Sequence, residues 1–176
     1  FECDGPLEAL DGEEVALPTA SATSVVLLRI LLETRLGVRP RYRWFEQSDT
    51  ADPVREGAAA ALWIGDVALR RGASADGPFI DLGEVWKEWT GLPFVYAGPE
   101  KDPELRTLHA TLTESLGYFE RNVETYAERL ASRFGMGAER LARYWRALEY
   151  VFDDRLERGL LHYYRLAHEL GEAPAV

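Results

Sequence analysis

The sequence lacks the features that mark disulfide-bonded, zinc-binding or membrane-spanning proteins. Its one cysteine, Cys3, cannot form an intrachain disulfide, and no Cys-x-x-Cys pair or His/Cys cluster offers a zinc site. No apolar run of about 18 residues is present, no signal peptide is visible, and neither a Gly-rich dinucleotide fingerprint nor a phosphate loop occurs. The lone cysteine fits a protein of the reducing cytoplasm, and the lack of a Cys-x-x-Cys pair or His/Cys cluster predicts no zinc site.

Positive charge is also scarce. Lysine and arginine total 20 against 30 aspartate and glutamate residues, which gives a formal net charge of -10. An acidic surface attracts neither nucleic-acid phosphates nor anionic lipids, so we expect no nucleic-acid partner and no membrane partner. A small anionic ligand is compatible only with a site whose local donors outweigh this charge. The 176 residues, 47% of them hydrophobic, suffice for one core or two small lobes.

The hydroxyl-rich stretch 19–24 stands between a strand pattern and a helix pattern. Residues 15–17 form a short apolar run closed by Pro18, and apolar residues recur at helical spacing over 25–36. The turn between them holds Thr19, Ser21, Thr23 and Ser24. One hydroxyl suffices to cap a helix, whereas four beside the unpaired N–H groups of a helix N-terminus favour binding of a carboxylate or phosphate. An ordinary N-cap is the alternative.

A polar residue also follows the third predicted strand. Residues 40–45 alternate as a strand, and the continuous apolar run 58–65 ends in Gly65 and suits a strand buried on both faces. Asp66 follows, so it is either the N-cap of a helical turn or a side chain at the carboxyl edge of the sheet. Ligands of open α/β sheets lie outside that edge, which makes Asp66 a candidate site residue. Asp81, in an Asp-Leu-Gly turn, is a second candidate.

Beyond this point the pattern becomes helical. We predict a loop over 70–78, a helix over 84–90 and a strand over 92–97. Residues 15–97 are thus read as a small α/β lobe and 99–176 as a helical half.

Within that half, a helix begins at 102–103 with a weak point at Gly117, and a turn follows at 135–137. Two further helices cover 141–148 and 154–170. The histidines have no metal-ligand spacing; they are His109, His162 and His168.

A set of short motifs runs through most of the chain in a fixed order. They are Ser21-Ala-Thr-Ser-Val25 with Leu27-Leu-Arg-Ile-Leu-Leu32, Trp63-Ile-Gly-Asp-Val-Ala-Leu69, Asp81-Leu-Gly with Trp86, Thr90-Gly-Leu-Pro-Phe-Val95, and Arg158-Gly-Leu160 with Tyr163-Tyr164. Taken together, they resemble the chorismate dehydratase family of the futalosine menaquinone pathway. Family members continue past residues 94–97 with further apolar residues, whereas Gly98 and Pro99 follow here.

The resemblance implies an α/β fold of the periplasmic-binding-protein-like type II class, with two lobes and a ligand cleft between them. Family members carry a preceding stretch that forms most of the first lobe, so residues 1–11 are expected to be a strand remnant of a first lobe that is largely lacking. Residues 12–98 are expected to form the second lobe, and 99–176 a helical segment that returns to the first. The oligomeric state is left open.

The resemblance also implies a reaction. Chorismate loses water to give 3-[(1-carboxyvinyl)oxy]benzoate, a step for which no cofactor is implied but which must orient a dianion and manage one proton and one leaving hydroxyl. We expect Asp66 to be catalytic, as a hydrogen-bond partner of the ring hydroxyl or as a carrier of the proton. The substrate-binding candidates are Ser21, Thr23, Ser24, Gly65 and Asp81.

Two alternatives share this fold. The chemistry of the 1,4-dihydroxy-6-naphthoate synthase of the same pathway requires a histidine base in the cleft. None of the three histidines lies near a predicted strand end, which counts against this alternative. The other alternative is a binding protein for small anionic solutes outside the cytoplasmic membrane. A signal peptide upstream would favour that binding protein over the enzyme.

Overall fold

A computed structural model describes residues 1–73, 79–95 and 106–175. The chain divides into two compact units. Residues 1–96 together with 154–176 form the first, which we call the sheet unit, and residues 97–153 form the second, the helical unit.

A four-stranded mixed sheet organises the sheet unit. Its strands are β1 (Glu2–Cys3), β2 (Glu14–Pro18), β3 (Arg41–Phe45) and β4 (Ala60–Ala61). The spatial order is β1-β4-β2-β3, in which β1 runs antiparallel to β4 while β2 is parallel to both β4 and β3. The predicted mixed α/β class is therefore confirmed.

Helices account for most of the other described residues. They are a 3-10 helix (Leu7–Leu10), α1 (Ala22–Arg29) continuing as a π-helix (Ile30–Arg35), α2 (Gly65–Ala73), α3 (Leu82–Thr90), α4 (Arg106–Arg121), α5 (Val123–Phe134), α6 (Ala138–Ala147) and α7 (Asp154–Glu169). The helix predicted over 25–36 is confirmed, and its second half is a π-helix.

The core of the sheet unit lies between β2 and the helices that pack on it. Val15 and Leu17 of β2 share one buried cluster with the apolar face of α1 and the π-helix. Full burial of an aliphatic side chain contributes about 1.5–3 kcal/mol, so this cluster fixes the helix against the strand. α7 contacts α1 and the π-helix and adds Tyr163 to the cluster. The segment predicted as returning to a first lobe thus packs its last helix on the sheet unit; the lobe boundaries themselves remain a prediction.

Two sequence predictions in the sheet unit are wrong. The loop expected over 70–78 is helical to Ala73, where α2 ends, and 74–78 lie outside the described residues. The strand expected over 92–97 is absent over 92–95. The Leu92 N–H donates to Thr90 Oγ1 at 3.1 Å and Pro93 has no N–H, so two successive residues offer no ladder donor.

The strand expected over 58–65 is shorter than predicted, because only Ala60–Ala61 pair as β4. At one end the Ala58 N–H turns to the Pro53 carbonyl, and at the other the Ile64 N–H goes to a side chain. The middle of the run, residues 60–63, is nevertheless buried as expected, with Ala60 and Ala61 fully inaccessible, whereas Gly65 at its end is exposed.

The helical unit confirms the turn at 135–137 and corrects the position of the helix break. Gly135 adopts the left-handed conformation that ends α5. α4 continues through Gly117, and the break comes at Asn122 instead. The Asn122 amide Nδ2 donates to the Tyr118 carbonyl at 2.8 Å, so the side chain competes with the backbone for a helical acceptor. The start predicted at 102–103 lies outside the described residues.

Candidate functional site

The carboxyl ends of three parallel strands meet at one edge of the sheet. Pro18, the last residue of β2, lies opposite Phe45, the last residue of β3, while Ala16 lies opposite Ala61 at the end of β4. The segments that leave this edge are 19–24, 46–47 and 62–66. The hydroxyl stretch and the Gly65–Asp66 pair therefore emerge from neighbouring strands, β2 and β4, on the same side of the sheet.

Ser21 is the N-cap of α1. Its backbone is extended, and its Oγ accepts a hydrogen bond from the Ser24 N–H at 3.2 Å while donating to Ser24 Oγ at 3.0 Å. The ordinary capping role considered for these hydroxyls is thus present. Helix geometry leaves the N–H groups of Ala22 and Thr23 without an acceptor inside the helix. The cap engages the Ser24 N–H, so it is compatible with anion binding by the two preceding N–H groups.

Thr23 is held from a distant part of the chain. The Tyr163 hydroxyl of α7 donates to the Thr23 carbonyl at 3.3 Å. Burial, with smaller contributions from the neighbouring Tyr164 and Glu172, raises the pKa of Tyr163 to about 12. The phenol therefore stays protonated at neutral pH and can donate. α7 therefore fixes the first turn of α1, a contact between residues 140 positions apart.

Gly65 and Asp66 open helix α2. Gly65 has φ of +58°, a left-handed conformation that a side chain would strain. Asp66 lies inside the first turn rather than at a cap position, and its side chain is exposed. Within the described parts of the chain, no hydrogen bond or ion pair engages the Asp66 carboxylate. Of the two interpretations of Asp66, the structure favours a side chain presented at the carboxyl edge.

Asp81 caps helix α3. Its Oδ1 accepts from the Gly83 N–H at 2.8 Å and from the Glu84 N–H at 3.3 Å. Because β1 is antiparallel to β4, the start of β1 lies at the edge formed by the carboxyl ends of the parallel strands. The segment that leads to Asp81 is joined to β1 there by the bridge between Glu2 and Phe79. Asp81 thus reaches this edge from the β1 side, with one carboxylate oxygen already committed to the cap.

Gln47 is a residue that sequence reasoning missed. It follows β3 by two positions, and its side-chain amide pairs with both backbone groups of Ile64, the residue before Gly65. The only signal in the sequence was a polar residue two positions beyond a strand end, which is common in surface loops.

A cluster of three side chains anchors the other end of α2 to the sheet. The Trp63 indole Nε1 donates to Glu2 Oε2 at 2.7 Å, and the Arg71 guanidinium lies 3.8 Å from the centre of the Trp63 ring. Such a cation–π contact contributes about 1 kcal/mol when partly desolvated. The helix that begins with Gly65 and Asp66 is therefore fixed near both of its ends.

A separate open cavity of about 420 Å³ lies between α7 and the end of α3. It is lined by Thr90, Leu92, Arg158, Leu161, His162 and Arg165. Burial and the nearby Arg165 lower the pKa of His162, so this imidazole is neutral at neutral pH. None of the sequence-predicted site residues lines the cavity.

Residues 1–73, 79–95 and 106–175 contain no group of three or more histidine, cysteine, aspartate or glutamate side chains placed to hold a metal ion. None of the helices in that part of the chain is both long and apolar enough to cross a membrane.

Comparison with known proteins identifies the family. A family model described as menaquinone biosynthesis matches residues 1–169. The chain belongs to that family. A chorismate dehydratase from Thermus thermophilus is 30% identical to this member of the menaquinone biosynthesis family over 139 residues, which is 66% of the chain and 50% of that protein. The chain thus spans about half the length of the curated relative it matches, and the family resemblance read from the motifs is confirmed.

Proposed function

We propose that the protein containing this chain removes water from chorismate to give 3-[(1-carboxyvinyl)oxy]benzoate, an early step of menaquinone biosynthesis. The observation that supports it most is the juxtaposition of two chemically different ends at one sheet edge. The N-terminus of α1, with its hydroxyls, follows β2, and the exposed Asp66 carboxylate follows the adjacent β4. The name of the Thermus thermophilus relative supports the choice of substrate.

The N-terminus of α1 would hold one carboxylate of the substrate. The N–H groups of Ala22 and Thr23 point along the helix axis toward the edge, where the helix carries about half a unit of positive charge. The hydroxyls of Thr23 and Ser24 can add further donors, whereas the hydroxyl proton of Ser21 is used on Ser24 Oγ. Local donors of this kind let an acidic protein bind a dianion.

Asp66 would serve the reacting part of the ring. Dehydration breaks the bond from carbon to the ring hydroxyl, which leaves with its electron pair and a proton as water. A neighbouring C–H bond gives up its proton, and that electron pair completes the aromatic ring. A carboxylate beside the ring hydroxyl can hydrogen-bond it or carry the proton between the two positions. Gly65, whose backbone has no side chain in the way, allows the substrate to approach the turn.

The sheet unit suits one lobe of a periplasmic-binding-protein-like type II fold. In that arrangement residues 12–98 belong to the second lobe, and the edge bearing Ser21, Asp66 and Asp81 faces the cleft. Asp81 would contribute through the carboxylate oxygen that the cap leaves available. We infer that the enzyme uses no cofactor and acts in the cytoplasm, which the single cysteine fits.

Turnover of the full-length gene product tests this function. We expect chorismate to lose one water and to retain its enolpyruvyl ether. Ultraviolet absorbance of the aromatic product monitors the reaction, and the mass of the product identifies it. The variant Asp66→Asn should lower turnover by about 10²-fold or more, the usual scale for a positioned acid–base group.

The matched control is Asp4→Asn. Asp4 is an exposed aspartate that follows Cys3, whose partner Ala60 begins β4, so it lies at the opposite edge of the sheet. Its turnover should equal that of the wild type. Equal losses in both variants would remove Asp66 from the mechanism. Stabilisation by other small anions without any turnover of chorismate would favour the solute-binding alternative instead.

A further inference from the structure

We propose that Gln47 is the positioning residue of the Gly65–Asp66 turn, and that this role, which rests on the proposed function, sets the rate of the chemical step. Both side-chain hydrogen bonds of Gln47 in the described part of the chain go to the backbone of Ile64, two residues before Asp66. Gln47 acts through this backbone.

The contact is a two-point pairing. Gln47 Nε2 donates to the Ile64 carbonyl at 3.0 Å, and the Ile64 N–H donates to Gln47 Oε1 at 2.8 Å. The side-chain amide therefore satisfies both backbone groups of one residue, as a neighbouring strand would. Two hydrogen bonds in opposite directions fix the orientation of the Ile64 backbone as well as its distance from Gln47.

Ile64 is the residue through which a displacement would reach Asp66. Its carbonyl also accepts the Ala68 N–H at 3.3 Å, so Ile64 is hydrogen-bonded to the first turn of α2, which it precedes. The next residue, Gly65, has a φ of +58° and can adopt many other backbone conformations once it is released. Holding Ile64 thus selects one direction for the Asp66 side chain among those that Gly65 permits.

The pairing also joins the two halves of the proposed site. Gln47 follows β3 and Ile64 follows β4, while β2 lies between these strands, so the amide reaches across the end of β2. The chain leaving β2 is tied to the same segment, because the Thr19 N–H donates to the Phe45 carbonyl at 3.1 Å. Gln47 therefore fixes the Asp66 turn relative to the hydroxyl stretch that follows β2. Fixing reacting groups in this way is where a displacement of about 1 Å costs about 10²-fold in rate.

The test uses three variants of the full-length protein. Gln47→Leu removes both hydrogen bonds at similar volume, and Gln47→Glu retains an acceptor for the Ile64 N–H while losing the donor to its carbonyl. Ser48→Ala is the control, since Ser48 Oγ accepts the Ala51 N–H in the same loop rather than pairing with the backbone of Ile64. Amide exchange over 62–67 is measured for each variant, together with kcat and KM for chorismate.

We expect Gln47→Leu to speed amide exchange of Ile64 by about tenfold or more, while Ser48→Ala leaves it unchanged. Gln47→Leu should also lower kcat about tenfold, with KM within about twofold of the wild type. The kcat of Gln47→Glu should lie between those of Gln47→Leu and the wild type. In an Asp66→Asn background the Gln47→Leu change should lower kcat less than about twofold, because a positioning residue has nothing left to position. A purely structural role would instead lower kcat by the same factor in both backgrounds.

Two results overturn the positioning role: independent effects of Gln47 and Asp66 on kcat, or unchanged exchange at Ile64 in Gln47→Leu. The second applies even to a protein that turns over no substrate. Absence of turnover in the wild type would reject the proposed function and with it the rate effect, while faster exchange at Ile64 would still show that Gln47 holds the turn.

Discussion

The sheet unit and the helical unit differ in how they bury their apolar residues. Among the described residues of the sheet unit there are two buried clusters, and the larger one draws on strands and helices far apart in the chain, from Phe1 to Ala167. The buried cluster among the described residues of the helical unit is smaller and consists of Val123, Ala127, Leu141 and Ala142, with aromatic rings such as Trp145 at its margin. Large apolar side chains stay exposed in that unit, among them Leu112, Tyr118, Tyr150 and Val151.

The difference explains where the candidate site lies. Site residues must be held to within about 0.5 Å by packed neighbours, which a core built from long-range contacts provides. All the proposed site residues, from Ser21 to Asp81, belong to the sheet unit. The helical unit depends on contacts between successive helices, chiefly those of α5 with α6. We therefore expect substitutions of one kind to have different consequences in the two units.

The largest effect should follow removal of the aromatic centre of the sheet unit. Trp86 is fully buried, and its ring centre lies 5.9 Å from that of Phe94 and 6.4 Å from that of Tyr163. The contact with Tyr163 joins α3 to α7. Trp86→Ala should lower the free energy of unfolding by about 4 kcal/mol, since it removes the buried apolar surface of the indole ring and leaves a cavity. Urea denaturation followed by circular dichroism measures the change.

Trp44 offers the matched control within the same unit. It lies on β3 with 57% of its surface exposed, so Trp44→Ala should change the free energy of unfolding by less than about 0.5 kcal/mol. Similar losses for the two tryptophans would contradict the picture of a core concentrated around Trp86.

A smaller effect, opposite in sign between the units, is expected from glycine-to-alanine changes within helices. At Gly159 of α7 an added Cβ would lie 2.3 Å from the Pro93 carbonyl oxygen, so the backbone must move. Gly159→Ala should destabilise the protein by about 2 kcal/mol through this overlap. Thermal denaturation of the variant and the wild type measures it.

Gly117 of α4 is the corresponding position in the helical unit. The nearest atom to an added Cβ is Arg121 Nη1 at 3.4 Å, the end of a flexible side chain. Gly117→Ala should stabilise by about 0.5–1 kcal/mol, because alanine loses less conformational entropy in a helix. A loss of stability at Gly117 as large as that at Gly159 would show that both helices are packed equally tightly.

The smallest effect concerns acid sensitivity of the sheet unit. Burial and Arg165 lower the pKa of His162 below its ordinary value of 6.5, while Glu169 opposes them. A lowered pKa in the folded state means that His162 costs nothing above the unfolded-state value and destabilises the fold as pH falls through it. His162→Gln should therefore lose less stability than the wild type between about pH 7 and pH 5.

His168 provides the comparison on the same helix, since it is exposed. The variant His168→Gln should keep the acid sensitivity of the wild type, as measured by urea denaturation at a series of pH values. If both histidine variants behave like the wild type, burial of His162 against Trp86 has no effect on stability.

Local sequence patterns predicted the parts of the site that depend on neighbouring residues. The apolar run closed by Pro18, the hydroxyl at the start of α1 and the Gly-Asp pair after β4 were all recognisable, because caps and strand ends are determined within a few positions. The break at Asn122 was missed because glycine is the more usual weak point of a helix, whereas the competing side-chain hydrogen bond to Tyr118 appears only once the helix exists.

The α/β class, the family and the residue types available at the strand ends follow from the amino-acid sequence. Which of these residues share an edge depends on the strand order, since β1-β4-β2-β3 places β4 beside β2 although β3 comes between them in the chain. The same holds for Gln47 with Ile64 and for Tyr163 with Thr23. Such pairs form because folding brings distant hydrogen-bonding groups together, and no local periodicity records their distance.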